Sequence, residues 1–158
     1  MGHARIFLVT LLILAGCSAS PANVAGDYTM SLTDDQNGCM FPSWTDSSTG
    51  VPLTITQNGT SATATLGGTA AAAYDLILGS HVMVGNVSGD HMDFIIHGTV
   101  HDGCGATLDA HATVDLVGDT LTNGIVTYSY SNLGSTCESY KTTCTSTQLF
   151  NGTRPPSH

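Results

Sequence analysis

The chain has 158 residues and a formal charge of −9, with three Lys or Arg against twelve Asp or Glu. So few cations cannot form the clustered basic surface that phosphate backbones require, which argues against a nucleic-acid partner; the acidity reads as solubility. The length suits one ordinary domain with a real core rather than two.

From the amino terminus, a short basic head (Met1 to Arg5) precedes an apolar run (Ile6 to Leu14) and a small-residue exit, Ala15-Gly16-Cys17. This is the anatomy of an export signal. As a helix the run would span only about 15 Å, roughly half of a bilayer's hydrocarbon core, too short for a permanent span. The segment Leu14-Ala15-Gly16-Cys17 resembles the lipobox of bacterial lipoprotein precursors. The resemblance implies that residues 1–16 are cleaved as a lipoprotein signal peptide, that the Cys17 sulfur carries a diacylglycerol, and that the new amino group is often acylated. Ordinary secretory cleavage nearby would instead leave Cys17 an incidental thiol. Two or more acyl chains hold a protein stably at a membrane, at about 0.8 kcal/mol per buried methylene. In place of the aspartate that retains many such proteins in the inner membrane stands Ser18, which implies the outer membrane if the host is Gram-negative. Losing Arg5 takes the formal charge of the mature chain to −10.

Residues 17–25 are small, include Pro21 and Asn23, and read as a lipidated flexible tether. The domain is expected over residues 26–154, followed by a short disordered tail, 155–158. Within it, runs rich in Thr, Val, Ile, Leu and Tyr are separated by turn signals such as Asn58-Gly59, Gly67-Gly68, Ser88-Gly89-Asp90 and Gly118-Asp119. Strands are predicted near Gly26 to Thr33, Val51 to Gln57, Thr60 to Leu66, Tyr74 to Leu78, His81 to Val87, His91 to Val100, Ala106 to Leu116, Leu121 to Tyr130 and Thr145 to Phe150. Alternation is clean in the seventh, where Leu108, Ala110, Ala112, Val114 and Leu116 share one face. Only the Ala70 to Ala73 run has helix propensity. Eight or nine antiparallel strands make an all-β domain, either an up-and-down barrel or a β-sandwich. Gly26-Asp27-Tyr28 is similar to the Gly-x-Trp opening of lipocalin and avidin barrels, with tyrosine for tryptophan, and the resemblance implies the barrel.

Four cysteines remain beside Cys17, namely Cys39, Cys104, Cys137 and Cys144, and an even number in an exported chain predicts two disulfides. Of three possible pairings, Cys137 with Cys144 and Cys39 with Cys104 is expected, since the first pair flanks one polar loop. A Cys-based metal site has no C-x-x-C spacing to support it.

Histidines crowd residues 81–111, at His81, His91, His97, His101 and His111. Along one strand His91 and His97 stand about 20 Å apart, so a shared site must be built across strands. A hairpin centred on Gly103 sets His97 opposite Asp109 and His91 opposite Asp115. A three-residue Ser88-Gly89-Asp90 loop then sets His81 opposite His97. The resulting row of His81, His97 and Asp109, with His111 diagonal to it, has donor types suited to zinc or copper. The alternative is a set of exposed His and Asp pairs that hold nothing. Trp44, alone in a polar loop, is either a plug over the barrel mouth or a ligand contact, and Phe41 and Tyr140 are further loop aromatics. With Tyr128 and Tyr130 these aromatics could line an open end and stack on a sugar or apolar ligand, although Tyr128 and Tyr130 share a strand face, for which core packing is the simpler explanation. No G-x-S-x-G, H-E-x-x-H, P-loop or dinucleotide motif occurs, and a thiol and base at His101 and Cys104 would compete with a disulfide. The expected protein is thus a non-enzymatic, lipid-anchored envelope domain that binds a small ligand or an envelope partner, with metal handling and envelope catalysis as rivals.

Overall fold

The computed structural model describes residues 20–41, 44, 47–100, 106–131 and 143–156. The signal segment, Cys17, His101, Cys104, Cys137, Tyr140 and residues 157–158 lie outside the described residues. Eight strands follow in order: β1 (Gly26–Asn37), β2 (Ser47–Asn58), β3 (Ser61–Leu66), β4 (Val82–Ser88), β5 (His91–Val100), β6 (Ala106–Val117), β7 (Thr120–Ser131) and β8 (Thr143–Thr153). A helix, α1 (Gly68–Leu78), connects β3 to β4. Each strand pairs antiparallel with the next, and β8 returns to β1, closing an up-and-down barrel with no free edge. The barrel is therefore the form this all-β chain takes, not the sandwich.

Period-two alternation drives the closure. On β6, Ala106, Leu108, Ala110, Ala112, Val114 and Leu116 are buried, while the residues between them point to the outer face. The β5–β6 register sets His97 against Asp109 and His91 against Asp115, as the Gly103-centred hairpin predicts. Irregularities in β1, β6 and β7, one of them at Asn123 with φ 55°, bend the strands around the barrel.

The two ends are built differently. One is closed by three tight hairpins, Gly59-Thr60, Gly89-Asp90 and Gly118-Asp119, each with glycine first at φ 61 to 63°. Glycine there is the signature of the two-residue type II′ turn, whose twist matches that of the strands. The chain ahead of β1 is folded onto this end. Val24 is wholly buried, the Ala22 amide donates to the Gly89 carbonyl at 2.6 Å, and the Gln57 side chain clamps both Ala22 and Val24. Arg154 completes the plug: its guanidinium lies 5.5 Å from the Tyr28 ring centroid, donates to the carbonyls of Ala25 and Asn23, and pairs with Asp119 at 3.0 Å. The fixed structure thus begins at least four residues before Gly26, and the expected tether is shorter than its composition suggests.

At the other end, β3 and β4 are joined by α1, which corrects the expectation of a strand over Tyr74 to Leu78. Gly79 in the left-handed region at φ 75° ends the helix and donates to the Asp75 carbonyl. The disulfide also differs from expectation: Cys39 bonds Cys144, with Cα atoms 5.0 Å apart, which excludes both Cys137–Cys144 and Cys39–Cys104. The cause is topology, because β1 and β8 are neighbours in the closed sheet with Asn37 opposite Ser146, so their ends meet at the rim. Proximity in sequence pointed to the wrong partner.

A bridge across 105 residues removes about 4.7 kcal/mol of chain entropy from the unfolded state in the loop-closure treatment. Replacing Cys39 and Cys144 together by Ala is expected to lower unfolding free energy by about 2–5 kcal/mol in a urea titration. Non-reducing peptide mapping of the wild type should recover the Cys39–Cys144 crosslink; a Cys137–Cys144 peptide would refute this connectivity.

Candidate functional site

At the open end lies a cavity of about 890 Å3. That is the size of a small-molecule site, for which roughly 300–1,000 Å3 is usual. Its floor and walls come from β1 (Leu32, Asp34), β6 (Leu108), β7 (Tyr128) and β8 (Gln148), and one side is formed by α1. The helix contributes Ala70, Ala73, Tyr74, Ile77 and Leu78, a spacing that places them along one helical face. Next to the cavity lies an apolar void of about 40 Å3, and Leu32 and Tyr74 border both spaces.

Helix α1 is seated by a close approach. A Cβ on Gly98 would stand 2.6 Å from the Leu78 Cα and 2.8 Å from its carbonyl oxygen, so only glycine lets Leu78, the helix's buried residue, reach the barrel wall. Outside the cavity the helix is held by His81, whose ring lies 2.8 Å from Asp75.

A polar string crosses the cavity wall. Tyr128 donates to Gln148 Oε1 at 2.6 Å, so its single proton is committed and Tyr74, also 2.6 Å away, must donate to Tyr128. The Gln148 amide then donates to Asp34 Oδ1 at 2.5 Å. Every donor in the string points towards the carboxylate. Burial pushes the Tyr74 phenol up to about 12 and the Tyr128 phenol well above its ordinary value, so both stay protonated under physiological conditions.

Tyr128 is also the hub of an aromatic cluster, with Trp44 at 5.7 Å and nearly perpendicular, Phe41 at 6.5 Å and Tyr74 at 6.3 Å between centroids. Phe41 and Trp44 touch each other at 5.5 Å. Phe41 is set by Asn37, whose side chain accepts from the Phe41 amide at 2.8 Å and donates to its carbonyl at 2.9 Å, holding the turn in which Met40 has φ 54°. Trp44 lines the cavity. Its Nε1 is buried with no hydrogen-bond partner among the described residues. An unmet buried donor costs about 1–3 kcal/mol, which an acceptor brought into the cavity would offset.

The described histidines lie elsewhere. His97 pairs with Asp109 at 2.8 Å on the outer face of β5 and β6, and His91 pairs with Asp115 at 2.7 Å. His111 turns to Asp93, and His81 pairs with Asp75 on α1 instead of facing His97. The β4–β5 turn has two residues, Gly89 and Asp90, with Ser88 opposite His91, so the register is displaced by one and the row of His81, His97 and Asp109 does not assemble. Among the described residues no three His, Cys, Asp or Glu side chains are grouped to hold a metal ion. Hydrogen bonds from His91 and Asn123 hold the Asp115 carboxyl below its ordinary range. The pairs are exposed and belong to the surface.

Sequence reasoning named Phe41, Trp44 and Tyr128 as residues that could line an open end, though it preferred core packing for Tyr128, and it missed Tyr74, Gln148 and Asp34. The signal for Tyr74 was present: Gly67-Gly68 before, Gly79 after, and an alanine-rich run between them mark a helix whose apolar face needs a partner. Nothing local marks Gln148 or Asp34, which meet only through β1–β8 closure. No protein-family model, no curated protein and no solved structure matches the chain.

Two outcomes follow. Gly98→Ala should push α1 outward, costing about 1–3 kcal/mol and raising amide exchange along Gly68–Leu78; unchanged exchange would contradict the seating contact. Unfolding releases both phenols to the ordinary value of 10.0, so the stability tied to them is intact below about pH 10 and lost as pH rises towards about 12. Urea midpoints measured across that window should decline less steeply in Tyr74→Phe, by up to about 1.4 kcal/mol per pH unit.

Proposed function

We propose that this protein is a lipid-anchored envelope lipoprotein whose barrel binds, without transforming it, a small molecule with an apolar body and at least one hydrogen-bond acceptor. The observation that carries the reading is the cavity of about 890 Å3, walled by Leu32, Trp44, Leu108 and the apolar face of α1 and crossed by one polar string. Apolar walls with few convergent polar groups are what small-molecule sites use for affinity and orientation respectively. The buried Trp44 Nε1 supplies the demand for an acceptor. The cavity offers Asp34 and two phenols that burial keeps protonated, with no nucleophile and base held together among its described lining residues; binding suits it better than turnover.

The anchor and the cavity are compatible. Lipid on Cys17 would attach beside the plugged end, because Ala22 is already bonded to Gly89 there. The five residues 17–21 extend at most about 18 Å, so the barrel would stand close to the membrane with its mouth directed away from it. In a Gram-negative host the outer membrane is the proposed location.

Trp44 is the chain's single tryptophan and reports on its own site. A neutral naphthylamine fluorophore is expected to quench its emission saturably, with Ala70→Phe and Ala73→Phe each weakening binding tenfold or more by filling the cavity. Native mass spectrometry of the mature domain, purified without detergent from its own organism, should find a non-covalent small-molecule adduct. Fluorophore binding that ignores both cavity-filling variants, together with the absence of an adduct, would sink the proposal.

A further inference from the structure

Resting on that reading of the cavity, we infer that the apolar body of its ligand is a single unbranched hydrocarbon chain, inserted tip first along the barrel axis, and that Ala64 and Ala112 set the longest chain the site accepts. The cavity and the void beside it are two stations on one axis. On β1 the cavity is lined by Leu32 and the void by Met30, on β7 by Tyr128 and Val126, and on β8 by Gln148 and Phe150. In each of these strands the step is one inward position, and it runs towards the plugged end. All eight strands contribute to the void, and every described residue lining it is apolar except Tyr74. Leu32 and Tyr74 stand where the two spaces meet. Further along, Tyr28, Met92 and Leu121 are buried at 0–2 % exposure, and the path ends there.

The width of this path selects the shape of the guest. An apolar cavity of about 150 Å3 takes a benzene ring, whereas one water-sized group needs only about 10–15 Å3. At about 40 Å3 the void has room for two or three methylenes and none for a ring. An apolar space of this kind stays dry, so each methylene that fills it leaves water without displacing any, which tightens binding about fourfold. The partition yields readily to a chain tip, because Tyr74 rides on a helix that buries only Leu78, and Met30 and Met83 beyond it are unbranched and adaptable. Length follows from β6, where Leu108 lines the cavity and Val114 the void. At 3.4 Å per residue and a strand tilt of about 40°, they stand about 15 Å apart along the axis, the reach of an extended chain of about a dozen carbons. Ala64 and Ala112 are the smallest side chains in the void wall, so a larger residue at either would occupy the volume the tip needs.

The test is a titration of Trp44 emission with tetraethylene glycol ethers carrying octyl, decyl, dodecyl, tetradecyl or hexadecyl chains, each below its micellar threshold. An adamantylethyl ether with the same head is the control, since its cage is too wide for the void. In the wild type, affinity should rise about fourfold per methylene up to a limit near dodecyl and change less than twofold beyond it. Ala112→Leu and Ala64→Val should each move that limit to a shorter chain, and Val126→Ala, which enlarges the void, to a longer one. All three variants should bind the cage within twofold of the wild type, and circular dichroism checks that each folds. A limit that none of the folded variants moves, or cage binding weakened as much as dodecyl binding by the filled variants, overturns the inference and leaves the cavity reading standing. Failure of every ether to bind overturns both.

Discussion

The hydrogen-bonded seam between β1 and β8 is the contact on which the rest of this molecule depends. Until it forms, the alternating strands are an open sheet with two exposed edges; once it forms, every inward residue faces another. Eight strands enclose an interior just wide enough to be filled by side chains or to hold one small guest. This chain does both, by height. Towards the plugged end Val24, Tyr28, Met92 and Leu121 fill the space, while higher up the small Ala110 and Ala112 take less of it. The same seam brings Asp34 to Gln148 and Cys39 to Cys144, so the chemistry of the mouth is assembled from opposite ends of the chain.

The ends divide the work between stability and access. At the plugged end one guanidinium, 9 % exposed, bonds a carboxylate and two carbonyls while covering an aromatic ring, so truncating it would remove three contacts at once. At the mouth, by contrast, α1 buries only Leu78, and Leu76 and Ile77 remain exposed. Elements with so little buried surface open at low free-energy cost, and a site that must admit a guest draws on such elements. The Tyr74 hydroxyl is the one described polar tie from the cavity face of α1 to the barrel, which couples the position of the helix to the string that ends at Asp34.

Much of the barrel was legible because alternation is a local signal. Eight of the nine predicted strands fall on observed strands within about four residues at each end, and the bounds of β5 and the β5–β6 register agree with the expectation from Gly103. The failures have specific physical causes. Tyr74 to Leu78 reads as a strand by composition, yet the glycines on either side and the alanines before it favour a helix. His81 missed its row through a single residue in a turn, because a one-step slip moves a side chain to the other face of a sheet. Residues 22–25 look like tether because they are small, but a buried valine and the side chains of Gln57 on β2 and Arg154 just after β8 fix them in place. Asp34, Gln148 and the disulfide partners could not be read locally at all, since each depends on which strands become neighbours after closure.

The Cys39–Cys144 bond therefore carries information about time as well as stability. Its two sulfurs belong to the rim ends of the first and last strands, and no shorter stretch of the chain can bring them together in their native setting. A polypeptide emerging from its amino terminus has Cys39 available for the whole of its synthesis and must wait for Cys144. Any oxidant that acts early meets a thiol whose rightful partner does not yet exist. In this architecture the covalent lock is a record that the last strand has arrived, which makes its formation a natural marker of a finished barrel.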